Sequence, residues 1–351
     1  MTIAVALATY NGERFLQEQL DSLAKQTRLP DQLVIRDDGS TDATLDIVDA
    51  FRRSAPFPVE VLSAGEKLGP MMNFLTAAQA CRAEYVAFCD QDDIWLPTKL
   101  ERCEAALMAS GACLAIHSVS NFRDVGGRRV WEDSIDVPTR TVDGLQFTHN
   151  AVIFGMAMVI SKEVLLQGVE LREVWLSQLR TIVRSRPISR HDHWAQQHDT
   201  YALVMARMLG AITFLGETLA WRRLHENNAS DMRGPWKQAP EIASMWGTGR
   251  GVFHRIVSNF CAEFAAFVRN APSCGVASEA RCNAAAHAYE KWAAILLARS
   301  RLLADDASLS DRLTNYREAI ALGAYRSEYA GGMGYRSFVK DSLNVFGVKV
   351  G

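Results

Sequence analysis

The sequence predicts an α/β fold: a Rossmann-like, mostly parallel sheet flanked by helices, with a helical C-terminal appendage. Three observations carry this. Short apolar runs alternate with helical patterns through the first 120 residues. Each of the runs at residues 3–7, 32–35 and 85–88 ends in a polar loop. After about Met232, helical signatures dominate.

The first run, Ile3-Ala4-Val5-Ala6-Leu7, has buried-strand length and leads into the turn at residues 9–13. Phe15, Leu16, Leu20 and Leu23 then recur at helical spacing. A second strand, Gln32-Leu33-Val34-Ile35, ends in Arg36-Asp37-Asp38-Gly39-Ser40-Thr41-Asp42, and Leu45, Val48 and Phe51 mark the next helix. Val59-Glu60-Val61-Leu62 is the third strand, followed by a loop with Gly65 and Gly69 and a helix through Met72, Leu75 and Ala78. The fourth is Tyr85-Val86-Ala87-Phe88, with a helix through Leu100, Cys103 and Leu107 after it. Cys113-Leu114-Ala115-Ile116 is a fifth. Alternation of this kind implies right-handed crossovers, with ligands beyond the carboxyl ends of the strands. The loops at 9–13, 36–42 and 90–93 therefore share one rim.

The fourth strand ends in Cys89-Asp90-Gln91-Asp92-Asp93-Ile94-Trp95. Three carboxylates within four positions repel one another unless a cation neutralises them. Mg²⁺ or Mn²⁺ does so, taking oxygen ligands from carboxylates and from substrate phosphates. The plainer reading is an acidic helix entry, since Pro97 suits a first helical turn. No GxGxxG or Walker pattern follows the first strand, which excludes the usual dinucleotide and P-loop sites. Asp37 or Asp38 can accept from a pyrimidine N–H or ribose hydroxyls, although Asp-Gly-Ser also makes a plain turn and cap.

Ala8-Thr9-Tyr10-Asn11-Gly12, residues 36–42, Lys67-Leu68-Gly69 with Asn73-Phe74, and Asp90-Gln91-Asp92-Asp93-Ile94-Trp95 resemble the nucleotide-sugar domain of family 2 glycosyltransferases. The last motif is most similar to their rhamnosyltransferase-like branch, and the resemblance covers roughly residues 1–230. It implies the GT-A fold, inverting transfer from a nucleoside-diphospho-sugar (dTDP- or UDP-), and dependence on Mn²⁺ or Mg²⁺. By resemblance, Thr9, Tyr10, Asn11, Glu13, Asp38, Lys67, Asn73, Asp90 and Gln91 would contact the nucleotide. Asp90 and Asp92 would hold the metal, with His225 as a third ligand or a diphosphate contact. Pro70 departs from the bulkier apolar residue of the family, which loosens the inference for Lys67 and Asn73.

An inverting transfer needs a base for the acceptor hydroxyl. The segment Arg190 to Tyr201 offers Asp192 and Asp199, each after a His. Asp199 is preferred, because the helix, strand and Arg-x-His-x-x-Asn ending that follow it (Arg223, His225, Asn228) resemble the family's order without a gap. His191, His193 and His198 invite a zinc reading, but on a helix His191 and His193 point to different faces. They read better as polar residues before a helix. Gly155-Met156-Ala157-Met158-Val159-Ile160 resembles the strand that faces the acceptor, with Gly155 at the sugar's approach; otherwise it is a core strand.

The chain of 351 residues is 48% hydrophobic and 22% charged, with a net charge of −2, ordinary for a folded protein. Residues 1–231 are expected as the catalytic domain and 232–351 as the helical region. The latter holds 15 Lys and Arg against 10 Asp and Glu. Phe253, Ile256, Phe260, Phe264 and Phe267 form an apolar stripe within it. That basic face suits an anionic leaflet, a helical cover for the sheet, or a second copy of the chain. The start on a core strand, the lack of an apolar run of spanning length and seven scattered cysteines point to the cytoplasm, with peripheral contact at the inner membrane face. The expected partners are the donor and a saccharide or lipid-linked acceptor, and not nucleic acid. Two other classes fit less well. A nucleotide-sugar-binding protein would not need the candidate base, and a nucleotidyltransferase would carry a Gly-rich loop near the first strand.

Overall fold

The computed structural model describes residues 1–62, 67–146, 153–166, 198–226, 228, 250–270, 278–326 and 334–346. The chain divides into two compact units, residues 1–142 with 152–225, and residues 143–151 with 226–351.

The first unit opens with four strands, β1 (Ile3–Thr9), β2 (Gln32–Asp37), β3 (Val59–Leu62) and β4 (Tyr85–Asp90), alternating with helices α1 (Leu16–Ala24), α2 (Thr44–Ser54) and α3 (Pro70–Ala80). After β4 come the short β5 (Ile94–Trp95), α4 (Lys99–Ser110) and β6 (Leu114–Val125). β7 (Arg128–Ile135), β8 (Arg140–Asp143) and β9 (Met158–Ser161) follow, then α5 (Lys162–Leu166), α6 (His198–Leu209) and β10 (Ala211–Arg223). The described strands form one sheet in the order β3-β2-β1-β4-β9-β6-β10-β5, with β7 on β6 and β8 on β10. β1 runs parallel to both β2 and β4, and β2 to β3, as strand-helix alternation requires. β9 is antiparallel to β4 and β6, whereas β10 is parallel to β6. The sheet is therefore parallel in its first half and mixed beyond.

Period-two patterning is absent from β1 because both faces are covered. Ile3, Val5 and Leu7 pack in one core with Leu16, Leu20 and Leu23 of α1, Val48 and Phe51 of α2, and Leu100, Cys103 and Leu107 of α4. Ala4, Ala6, Val86 and Phe88 are buried as well, as are Phe74, Leu75 and Ala78 of α3. Gly69 enters α3 at φ 77°, a left-handed conformation that disfavours other residues, and Pro70 follows in the first helical turn, where its missing N–H costs nothing.

The second unit is helical: α7 (Arg250–Asn270), α8 (Glu279–Leu302), α9 (Leu309–Ala321) and α10 (Gly334–Val345). Ser278 caps α8, and Ser308 with Asp311 forms a reciprocal capping box on α9. Arg299 of α8 grips Asp341 of α10 with two buried bonds, Nε–Oδ2 at 2.6 Å and Nη2–Oδ1 at 3.0 Å. Of the predicted apolar stripe, Phe264 is buried against Tyr289, with ring centroids 4.6 Å apart. The side chains of Phe253, Ile256, Phe260 and Phe267 lie outside the described residues. Among the described residues, no helix is long and apolar enough to cross a membrane.

Candidate active site

The rim beyond the carboxyl ends of β1, β2 and β4 is stitched by hydrogen bonds between its own loops. Thr9 Oγ1 donates to Asp37 Oδ2 at 2.7 Å, and Asp37 Oδ1 accepts from the Gly39 and Ser40 amides. Asn11 Oδ1 accepts from Thr41 N at 2.9 Å, and Glu13 Oε2 from Ala43 N at 3.0 Å. Tyr10 N donates to Gln91 Oε1 at 2.9 Å, while Gln91 Nε2 donates back to Tyr10 O at 3.0 Å. This pair ties the first loop to the acidic loop. Tyr10 is 43% exposed, and Lys67 Nζ stands 3.6 Å from its ring centroid.

Asp38 is buried. It accepts from Leu68 N at 2.7 Å, Gly69 N at 2.9 Å and Arg36 Nη1 at 3.0 Å, and the same Arg36 nitrogen donates to Asn73 Oδ1 at 2.6 Å. Asp38 and Asn73 thus anchor the loop that carries Lys67. All the residues expected at the nucleotide gather on this rim. Thr9, Asp38 and Asn73 are engaged in holding it together, whereas Tyr10 and Lys67 are exposed.

The acidic loop leaves β4 at Asp90. His225 Nε2 lies 2.7 Å from Asp92 Oδ2, and the imidazole packs against Phe15 at 4.9 Å. Asp93 turns inward, where its Oδ1 accepts from Arg223 N at 3.0 Å. Arg223 Nε donates to Asp92 O at 3.0 Å, and its guanidinium pairs with Glu18 and Asp124. Burial pushes the Asp90 carboxyl up to about 7, helped by the charges of Asp92 and then Asp199. Burial also raises Asp93 well above its usual range.

Asp199 therefore belongs to the same acidic neighbourhood, brought there by the first turn of α6. It is 8% exposed, and burial lifts its carboxyl to about 6 against the opposing pull of the Thr200 and Gly155 amides. Just before it, the His198 ring stacks on Phe74 at 3.7 Å and meets Phe88 edge-on at 4.8 Å. Burial lowers His198 to about 3, so it is neutral, and its Nε2 has no hydrogen-bond partner among the described residues. A β-carbon on Gly155 would collide with this ring, so the close approach of the 3-10 turn Gly155–Ala157 needs glycine. Met156 and Met158 are core residues. Asp192, His191 and His193 lie outside the described residues, so the zinc reading and the comparison of Asp192 with Asp199 rest on sequence alone.

Hard carboxylate oxygens with one imidazole suit Mn²⁺ or Mg²⁺. The repulsion of Asp90 by Asp92 and Asp199 fits the same picture. Asp92 and His225 are in contact and Asp90 is near enough to feel Asp92. Even so, no three His, Cys, Asp or Glu side chains converge as a metal cage among the described residues. A cation here would draw further ligands from a substrate.

Beneath the loop, Lys99 is wholly buried. Its Nζ donates to Met156 O at 2.6 Å and sits 3.2 Å from the Trp95 ring centroid, and burial lowers it to about 7. Sequence reading gave no role to Lys99 or Arg36, and Arg223 entered it only as part of the ending that holds His225. Arg223 carried a signal, since it stands two residues before His225 at the end of a strand.

Residues 4–168 match the family described as Glycosyl transferase family 2. An uncharacterized glycosyltransferase of Nostoc sp. is 27% identical over 235 residues, 65% of this chain and 66% of that protein. The dTDP-rhamnosyl transferase RfbG of Shigella flexneri is 31% identical over 166 residues, 46% of this chain and 55% of its own length. The chain thus spans about half to two thirds of these relatives. Among solved structures, S. aureus TarS residues 1–349 in complex with UDP-GlcNAc superposes with a TM-score of 0.48 at 20% identity, over 93% of each chain. Over residues 4–168, a little under half of its length, this chain is similar to glycosyl transferase family 2.

Proposed function

We propose that the chain is an inverting glycosyltransferase that moves a hexose, rhamnose foremost, from a dTDP- or UDP-sugar to a saccharide or lipid-linked acceptor in cell-surface polysaccharide synthesis. The observation that carries this is Asp199, a buried carboxylate raised to about 6 beside the acidic loop of Asp90 and Asp92. A base with that affinity holds a proton well enough to take one, yet is ionised at neutral pH. The rhamnosyl assignment is supported by the similarity to RfbG.

In this reading the acceptor hydroxyl attacks the anomeric carbon, and its proton passes to an oxygen of Asp199. The new C–O bond forms as the bond to the diphosphate oxygen breaks, and the electron pair leaves with the nucleoside diphosphate. Attack opposite the leaving group inverts the centre. Tyr10 offers the face for the base and Lys67 a charge for the phosphates. Asp92 and His225, with Asp90 beside them, would hold Mn²⁺ or Mg²⁺, which supplies charge stabilisation for the leaving diphosphate. The basic helical region at residues 232–351 would bring the enzyme to an anionic membrane surface carrying the acceptor.

The test is a panel of nucleoside-diphospho-sugars with Mn²⁺, read by thermal stabilisation and by turnover. Saturation at about 100 times Kd adds roughly 2.7 kcal/mol. Stabilisation without turnover on any saccharide acceptor would favour a nucleotide-sugar-binding protein. Co-sedimentation with anionic vesicles at low and high salt tests the membrane contact, which should weaken as salt rises.

A further inference from the structure

One sheet face beside the acidic loop has an aromatic surface that neither the fold nor the donor site requires. Phe122 of β6 stands opposite Trp131 of β7 on one side and Arg223 of β10 on the other, so the three share a face. Trp221, two residues before Arg223, lies on that face as well. The Trp131 ring meets Trp221 edge-on at 5.0 Å and Phe122 at 5.8 Å. Phe122 is fully buried, whereas Trp131 remains 51% exposed. A tryptophan that served only to cover Phe122 would gain by burying more of its area, since exposed aromatic surface forgoes hydrophobic stabilisation.

The rim of this surface is polar and its charges are opposed. The Arg129 guanidinium lies 5.3 Å from the Phe122 centroid and 5.5 Å from that of Trp221. It pairs with Glu18, and Arg223 pairs with Glu18 and Asp124. Such a surface suits a neutral, hydroxylated ring better than a polyanion or an anionic membrane. A pyranose has axial C–H bonds that pack on an indole face, and hydroxyls at its edge that need donors and acceptors at the rim.

The surface is continuous with the reacting centre. Arg223 lies 4.7 Å from the Phe122 ring, and its Nε donates to Asp92 O at 3.0 Å. One side chain therefore separates the aromatic face from the Asp92–His225 pair. We propose that this face is a pyranose-binding subsite for the acceptor saccharide, with Trp131 as its stacking platform and Arg129 and Glu18 as hydroxyl partners. The assignment to the acceptor rests on the glycosyltransferase reading; the binding of a neutral pyranoside does not.

The full chain labelled with 5-fluorotryptophan provides the test. The ¹⁹F resonance lost in Trp131→Ala identifies Trp131. Methyl pyranosides of rhamnose, glucose, galactose, mannose and N-acetylglucosamine are then titrated at millimolar concentration without nucleotide. At least one should shift the Trp131 resonance saturably. Trp131→Ala should weaken its binding about fivefold or more, with Trp131→Phe intermediate, as loss of an aromatic contact predicts. Should no pyranoside shift that resonance, or should Trp131→Ala bind as the wild type does, the proposal is overturned. Conversion of a dimer to a monomer by Trp131→Ala, without a pyranoside shift, would assign the face to contact between copies. Stabilisation by dTDP or UDP with Mn²⁺ is measured separately on the wild type, so failure of the donor reading is distinguishable from failure of this one.

Discussion

His225 Nε2 approaches Asp92 Oδ2 to 2.7 Å, joining residues 133 positions apart in the chain. The contact links the end of β10 to the loop after β4, and Arg223 reinforces it by bonding the Asp92 carbonyl. If this pair holds a divalent cation against the leaving diphosphate, Asp92→Ala and His225→Ala should each lower transfer about 100-fold or more. The Mn²⁺-dependent part of nucleotide stabilisation should fall with it. Wild-type rates for Asp92→Ala in chelator-treated buffer would remove the metal assignment.

Asp199 ties activity and stability to pH in opposite senses. A carboxyl raised from 3.8 to about 6 by burial binds its proton more tightly folded than unfolded. Its contribution to folding is therefore greatest below the unfolded value and declines as pH rises through about 6. Transfer needs the ionised form, so kcat should fall as pH drops below about 6, while stability at neutral pH carries the cost of the buried charge. Asp199→Asn should raise neutral-pH stability by roughly 1–3 kcal/mol and flatten its dependence between pH 4 and 7, measured by urea unfolding.

Gly155→Ala should destabilise the first unit by about 1–3 kcal/mol, since the His198 ring is clamped between Phe74 and Phe88 and cannot retreat. The double variant Gly155→Ala/His198→Ala should be less affected than the sum of the single changes. Additive losses in thermal unfolding would show that the two residues do not compete for the same space.

Arg299 and Asp341 hold α8 to α10 inside the second unit, with Tyr325 donating to Asp341 Oδ2 at 2.9 Å. Asp341→Ala leaves a buried guanidinium and should cost about 3–5 kcal/mol, whereas Arg299→Met/Asp341→Leu should recover most of it. Equal losses in the single and double variants would argue against a buried pair.

How much was legible follows from where each residue's partners lie. The rim was readable because β1, β2 and β4 are covered on both faces, so they appear as unbroken apolar runs that end at their polar loops. β7 was not, because its residues are mostly exposed and carry no alternation. β10 hides its length behind register shifts between Leu215 and Ala220. Asp38 read as a nucleotide contact, but its bonds to Leu68 and Gly69 depend on a loop returning 30 residues later. Arg223 bridges Glu18, Asp124 and Asp92, and no local pattern announces partners so distant. Lys99 stands at the start of α4, where nothing local announces that the fold encloses it entirely.

The most direct measurement is transfer by Asp199→Asn with the nucleoside-diphospho-sugar that stabilises the wild type. Asn preserves the shape and removes the proton acceptor. The account predicts a loss of about 100-fold or more in kcat, with nucleotide stabilisation in Mn²⁺ within about twofold of wild type in apparent Kd. Transfer by Asp199→Asn at the wild-type rate would contradict the assignment of Asp199 as the base.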